Sequence, residues 1–146
     1  MKKIVVDTNI VFSALLNVNS RIGQILINGN FNFYAPEYLR YEIIEHQLKI
    51  KTLAKLSDDE FVELYELIMR NIHILNHNII PVKFYKNAAK LCEDIDVNDT
   101  VFIAFTEYLK GKLWTGDKKL IKGLMLKGFK TMVNTDELYQ DFVRKS

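Results

Sequence analysis

The chain has 146 residues, of which 49% are hydrophobic and 26% charged, a balance that supports one folded domain over 1–146 and argues against disorder. A single cysteine, Cys92, excludes an internal disulfide, and the lack of any Cys/His cluster argues against structural zinc, so a reducing, cytoplasmic setting is expected. The net charge of +2 is too small to identify a polyanion binder by itself, and no apolar run reaches bilayer length, so no membrane association is expected.

Met1-Lys2-Lys3 opens like a signal sequence, but the apolar run behind it breaks at Asp7 and Asn9 with no small-residue cleavage site, which argues against one. Ile4-Val5-Val6 instead reads as a buried parallel strand that delivers Asp7 to its carboxyl end, where sites form in open α/β sheets. Ile10 to Leu16 fits a short buried helix, and Ser20 caps a second helix running through Ile27. Phe31 to Ala35 alternates as a second strand. Pro36 suits the first position of a helix that the pattern carries to about Ile50. Ser57-Asp58-Asp59-Glu60 is a capping box for a helix with Phe61, Leu64, Tyr65, Leu67 and Ile68 on its apolar face.

Ile72 to Ile80 holds a third strand or extended piece, broken by Pro81, and Val82 to about Glu93 reads as a helix. An acidic loop, Glu93 to Asp99, leads into Thr100 to Leu109, a helix apolar on nearly every side and therefore expected in the core, ended by Gly111. Lys112 to Thr115 is a fourth strand stopping at Gly116-Asp117. Lys118 to Lys127 is a helix closed by Gly128, Lys130 to Val133 a fifth strand, and Thr135 the expected cap of a last helix. Strands alternating with helices predict a parallel sheet of about five strands wrapped by helices.

The acids carry the chemistry. Asp7 could be a simple helix cap, yet a strand-end carboxylate is costly to desolvate without a cation. Asp96 and Asp99 crowd the mouth of the most apolar helix, and a divalent cation is the usual way to tolerate such neighbours. Asp117 stands after the fourth strand as Asp7 does after the first, with Gly116 read as the residue that permits a tight turn and Thr115 as a hydroxyl able to orient a carboxylate. Glu42 lies mid-helix close to Glu45, and composition does not separate the two. Lys118, Lys119 and Lys122 follow Asp117 as either a solvated face or a phosphate-contacting edge. His46, His73 and His77 show no metal-ligand spacing. Oxygen donors without Cys or His favour Mg2+ or Mn2+, and no side chain stands out as a nucleophile, so hydrolysis by water is expected.

In order, Asp7-Thr8-Asn9 after the first strand, Glu42 in the helix after the second, Asp99-Thr100-Val101-Phe102-Ile103-Ala104, and Thr115-Gly116-Asp117 after the fourth resemble the PIN-domain family of metal-dependent nucleases, especially the bacterial and archaeal branch with VapC-type toxins. The resemblance implies a three-layer α/β/α sandwich, Mg2+ or Mn2+, and endonucleolytic cleavage of single-stranded RNA. It implies Asp7, Glu42, Asp99 and Asp117 as the acidic quartet, Asp96 as an additional acid, and Asn9 and Thr115 as supporting residues. It further implies a homodimer and, in the toxin branch, a small antitoxin partner.

Three other readings compete. A haloacid-dehalogenase-type phosphatase needs a second Asp where Asn9 stands, and a Rossmann nucleotide binder needs a glycine fingerprint that does not follow the first strand. A catalytically silent RNA- or partner-binding module is the alternative from another class.

Overall fold

The computed structural model describes residues 2–145. Its centre is β1 (Lys3–Val6), in which Ile4, Val5 and Val6 are all buried. Burial on both faces explains why the strand is continuously apolar rather than alternating. β2 (Asn32–Pro36) and β3 (Ile72–Leu75) extend the sheet on one side of β1, and β4 (Lys112–Trp114) and β5 (Met132–Val133) on the other. The order is β3-β2-β1-β4-β5 and every pairing is parallel. The chain therefore winds outward from β1 twice, in opposite directions. A crevice opens between the carboxyl ends of β1 and β4, the switch point at which open α/β sheets place their sites.

Helices α1 (Thr8–Leu16), α2 (Arg21–Asn28), α5 (Asp58–Met69) and α9 (Thr135–Arg144) pack among themselves as one layer, and α6 (Val82–Cys92) and α7 (Thr100–Leu109) form another, with α7 lying on β1, β2 and β4. The result is the expected three-layer α/β/α sandwich around a five-stranded parallel sheet. α7 buries Phe102, Ile103, Ala104, Phe105 and Thr106 in succession. The Thr106 hydroxyl donates to the Phe102 carbonyl at 2.8 Å, so its burial leaves no polar group unpaired. The Trp114 ring is fully buried, stacked 5.8 Å from Phe33. Among the described residues no single helix is long and apolar enough to cross a membrane.

The local signals hold at several boundaries. Ser20 accepts from the Gly23 N–H, and Ser57 and Glu60 form the reciprocal capping box. Several boundaries differ from the sequence reading, among them the third strand, which ends at Leu75 rather than Ile80. Pro36 closes β2 instead of opening a helix, while the next N–H, that of Glu37, bonds to the Leu75 carbonyl and continues the ladder. The single helix expected to Ile50 is two, α3 (Tyr38–Glu45) and α4 (Gln47–Ala54), broken at His46 with φ −100° and ψ 12°. The last helix is capped by Asn134, not Thr135, because the Thr135 hydroxyl accepts from the buried Trp114 indole at 3.1 Å. α7 ends at Leu109 as the sequence suggested, and the left-handed residue after it is Lys110, φ 55°, directly before Gly111. Gly111 is required for a different reason: a Cβ there would stand 2.5 Å from the Lys3 carbonyl oxygen.

Candidate active site

β1 and β4 pair with Val6 opposite Trp114, and the Asp7 N–H donates to the Trp114 carbonyl at 3.2 Å. The two chains thus emerge together, bringing Asp7 beside Thr115. Asp7 occupies the N-cap position of α1, yet its side chain makes no cap hydrogen bond. Its Oδ2 instead accepts from the Thr115 hydroxyl at 2.8 Å. That same hydroxyl oxygen accepts from the Asp117 N–H at 3.1 Å. One side chain therefore fixes both strand-end acids. Asp117 Oδ1 caps α8 (Lys118–Leu126) by accepting from the Leu120 N–H at 3.1 Å, so the simple cap reading is true of that oxygen.

Gly116 does not take the role the sequence suggested. It has no positive φ, and a Cβ built on it would meet nothing within 4 Å. No tight turn depends on it.

Asp99 ends the 3-10 turn Val97–Asp99 and holds the N-cap position of α7, again without a side-chain cap bond. Asp96 caps that turn by accepting from the Asn98 N–H at 2.9 Å. From α3, Glu42 reaches in and its Oε1 accepts from the Thr8 hydroxyl. Thr8, the first residue of α1, is a partner to which sequence reasoning gave no role of its own. Its hydroxyl also separates Glu42 from Glu45, which is exposed and outside the pocket.

Asp7, Glu42, Asp96, Asp99 and Asp117 line one pocket of about 200 Å3, together with Thr8, Asn9, Asn98 and Phe102. Asn98 and Phe102 were not foreseen as neighbours of the acids. Asn9 lines the pocket, but its side chain holds none of the carboxylates. Lys118, Lys119 and Lys122 lie outside the pocket, exposed on α8, and enter no ion pair among the described residues.

The electrostatics follow from five acids and no cation in the lining. Burial raises the Asp99 pKa to about 7, with Asp7, Asp96, Asp117 and Glu42 adding to the shift. Burial also raises Asp7, partly offset by the Thr115 hydroxyl and the nearby N–H groups of Asn9 and Thr8. Glu42 is raised by burial and lowered in part by Thr8. The raised pKa values of Asp7, Glu42 and Asp99 mark buried carboxylates that lack a counter-charge. Hard oxygen donors with no thiol or imidazole suit Mg2+ or Mn2+. Among the described residues no three of His, Cys, Asp and Glu stand close enough to hold one ion together. The donor set therefore fits an ion that retains part of its water shell, as Mg2+ does.

No curated protein matches the chain. The family model described as PIN domain matches residues 5–137. That span contains Asp7, Glu42, Asp96, Asp99 and Asp117 and every strand of the sheet, so the site and the fold that builds it fall inside the match; the chain belongs to the PIN-domain family, with its nuclease-type fold.

Proposed function

We propose that the protein is a Mg2+- or Mn2+-dependent endoribonuclease that hydrolyses phosphodiester bonds in single-stranded RNA. The observation that carries this reading is a pocket lined by five carboxylates and by no Lys, Arg or His. Such a pocket repels a phosphate until a cation neutralises it.

Asp7, Asp99 and Asp117, with Asp96 as an additional acid, would hold the hydrated ion in part through its retained waters, since no three of the described acids stand close enough to ligate one ion together. When bound, the ion supplies charge neutralisation at the phosphate and activation of water for in-line attack. Thr115 keeps Asp7 and Asp117 in register, and Thr8 keeps Glu42 turned toward the pocket. Glu42 would accept a proton from the attacking water, a role that suits a carboxylate whose pKa burial raises. Lys118, Lys119 and Lys122, in no ion pair among the described residues, lie on the helix capped by Asp117, where they would steer and grip the backbone of the strand.

The partners in this reading are single-stranded RNA, a second copy of the chain, and a small antitoxin protein if the chain is the toxin of a pair. Tyr41, Ile44 and Leu48, exposed at 73%, 53% and 74% on α3 and α4, offer such a partner an apolar surface.

Cleavage of end-labelled single-stranded RNA with Mn2+ tests the reading. Wild type should cut and EDTA should stop it, while folded Asp7→Asn, Asp99→Asn and Asp117→Asn proteins should not cut. Cleavage at the wild-type rate by any of these variants would overturn the assignment.

A further inference from the structure

Beside the acid pocket lies a second cavity of about 410 Å3, walled by Tyr38, Tyr85, Val97 and Val101 and edged by His77 and Asn98. Its size is that of a small-molecule site. The two cavities share Asn98. They are joined again by the Tyr38 ring, which packs at 6.4 Å on Phe102, a residue of the acid pocket.

The walls are held in place. The Tyr85 hydroxyl donates to the His77 carbonyl at 2.7 Å, which fixes its ring. Val97 is 67% exposed on the 3-10 turn and contributes little to the core. The Tyr38 hydroxyl, the Asn98 side-chain amide and the His77 ring make no hydrogen bond among the described residues. Burial, and then the carboxylates of Glu42, Glu45, Asp96 and Asp99, keep the Tyr38 phenol above its usual value, so it remains a neutral donor.

Flat apolar walls with uncommitted donors and acceptors suit a ligand that is apolar on its faces and polar at its edges. A nucleobase has that shape, and only an unpaired one can be turned out of a stack into such a cavity. Contiguity with the acids fixes which base it is. We propose that this cavity receives one unpaired base of the strand being cut, the base flanking the phosphate that sits at the carboxylates. The proposal rests on the nuclease reading and gives it a source of sequence preference.

The test pairs substrate and protein changes. Single-stranded RNAs carry an abasic nucleotide at each position around the mapped cut, and wild type is compared with Tyr38→Ala and with Val97→Ser, whose exposed site tolerates change. At one position adjoining the cut, loss of the base should lower wild-type kcat/KM by about 5- to 150-fold, the effect of one base stacked on an aromatic side chain. Tyr38→Ala should cut the intact RNA as poorly as wild type cuts the abasic one, and base loss should then cost it less than about 3-fold, with Val97→Ser intermediate. Equal penalties for base loss in wild type and both variants would overturn the subsite.

Affinity of the same RNAs for Asp99→Asn protein, read by fluorescence anisotropy, separates the two readings. Base-dependent affinity without cleavage by wild type overturns the nuclease reading and keeps the subsite. Cleavage that is indifferent to every flanking base overturns the subsite alone.

Discussion

The Thr115 hydroxyl donates to Asp7 Oδ2 at 2.8 Å across 108 positions of sequence, and its oxygen accepts from the Asp117 N–H at 3.1 Å. Parallel pairing of β1 with β4 makes this possible, because it sets the two strand ends side by side. Thr115→Val keeps the shape and removes both bonds. A buried carboxylate that loses a partner costs about 1–3 kcal/mol, so urea unfolding should show a loss of that size. Mn2+ affinity or cleavage should fall about 10- to 100-fold, as for other groups that orient metal ligands. Thr115→Ser should restore most of both.

Glu42 and Glu45 are a second pair to separate. Only Glu42 lines the pocket and accepts from Thr8. Glu42→Gln should lower cleavage by about 100-fold or more, within the range for loss of a general base. Glu45→Gln should leave it within about 2-fold, an expectation drawn from its exposed position. Thr8→Val should lie between them, since Glu42 remains but loses its tether. Comparable losses in Glu42→Gln and Glu45→Gln would show that the pocket does not discriminate them.

The Asp99 pKa makes stability depend on pH. The folded value is about 7 against an ordinary 3.8, so the folded state binds the proton more tightly than the unfolded state. The contribution of Asp99 is therefore fully favourable below about pH 4 and is lost as pH rises through 7. Surface acids whose pKa values are lowered, such as Asp58, Glu60 and Asp94, act in the opposite sense, so the clean measurement is a difference between proteins. In metal-free buffer, the Tm of Asp99→Asn should equal that of wild type near pH 4 and rise above it toward pH 8. Adding Mg2+ at pH 8 should raise the wild-type Tm and close the gap, by linkage to the folded state. A gap that is flat with pH would refute the assignment.

Much of this site was legible in the residues, and the failures have specific causes. Asp7 and Asp117 could be found because each ends a short apolar strand, and a parallel sheet places all such ends on one edge. Asp99 was marked by the very apolar helix behind it. Glu42 could not be separated from Glu45, because the group that selects it is a hydroxyl 34 positions away. The break at His46 has no Gly or Pro to announce it. Thr135 failed as a cap because its hydroxyl is used by Trp114, a tertiary demand that overrides a local preference. Pro36 was misplaced for a related reason: it suits the end of a strand as well as the start of a helix, and only the partner strand β3 decides.

The glycines divide by the same logic. Gly116 stands in open space with an ordinary φ, so Gly116→Ala should change stability by less than about 0.5 kcal/mol. At Gly111 a Cβ would stand 2.5 Å from the Lys3 carbonyl oxygen, a backbone atom of the central strand. Gly111→Ala should cost about 1–3 kcal/mol through displaced packing. Denaturant midpoints of the two variants give the comparison directly. A Gly116→Ala loss as large as that of Gly111→Ala would restore a turn-forming role to Gly116.

The lysine edge can be tested apart from the chemistry. Lys118, Lys119 and Lys122 follow Asp117 on α8, all exposed and none paired among the described residues. If they contact phosphates, each releases a counterion when a strand binds, and affinity falls with salt in proportion to the number of contacts. A triple Ala variant should therefore bind single-stranded RNA more weakly, with a plot of log affinity against log salt shallower by about 2, close to the value for three single-strand contacts. The metal-dependent rise in Tm should be unchanged, because none of the three lines the acid pocket. A solvated helix face would behave differently: the salt slope of the variant would equal that of wild type, and the grip on the strand would have to be sought elsewhere on the surface.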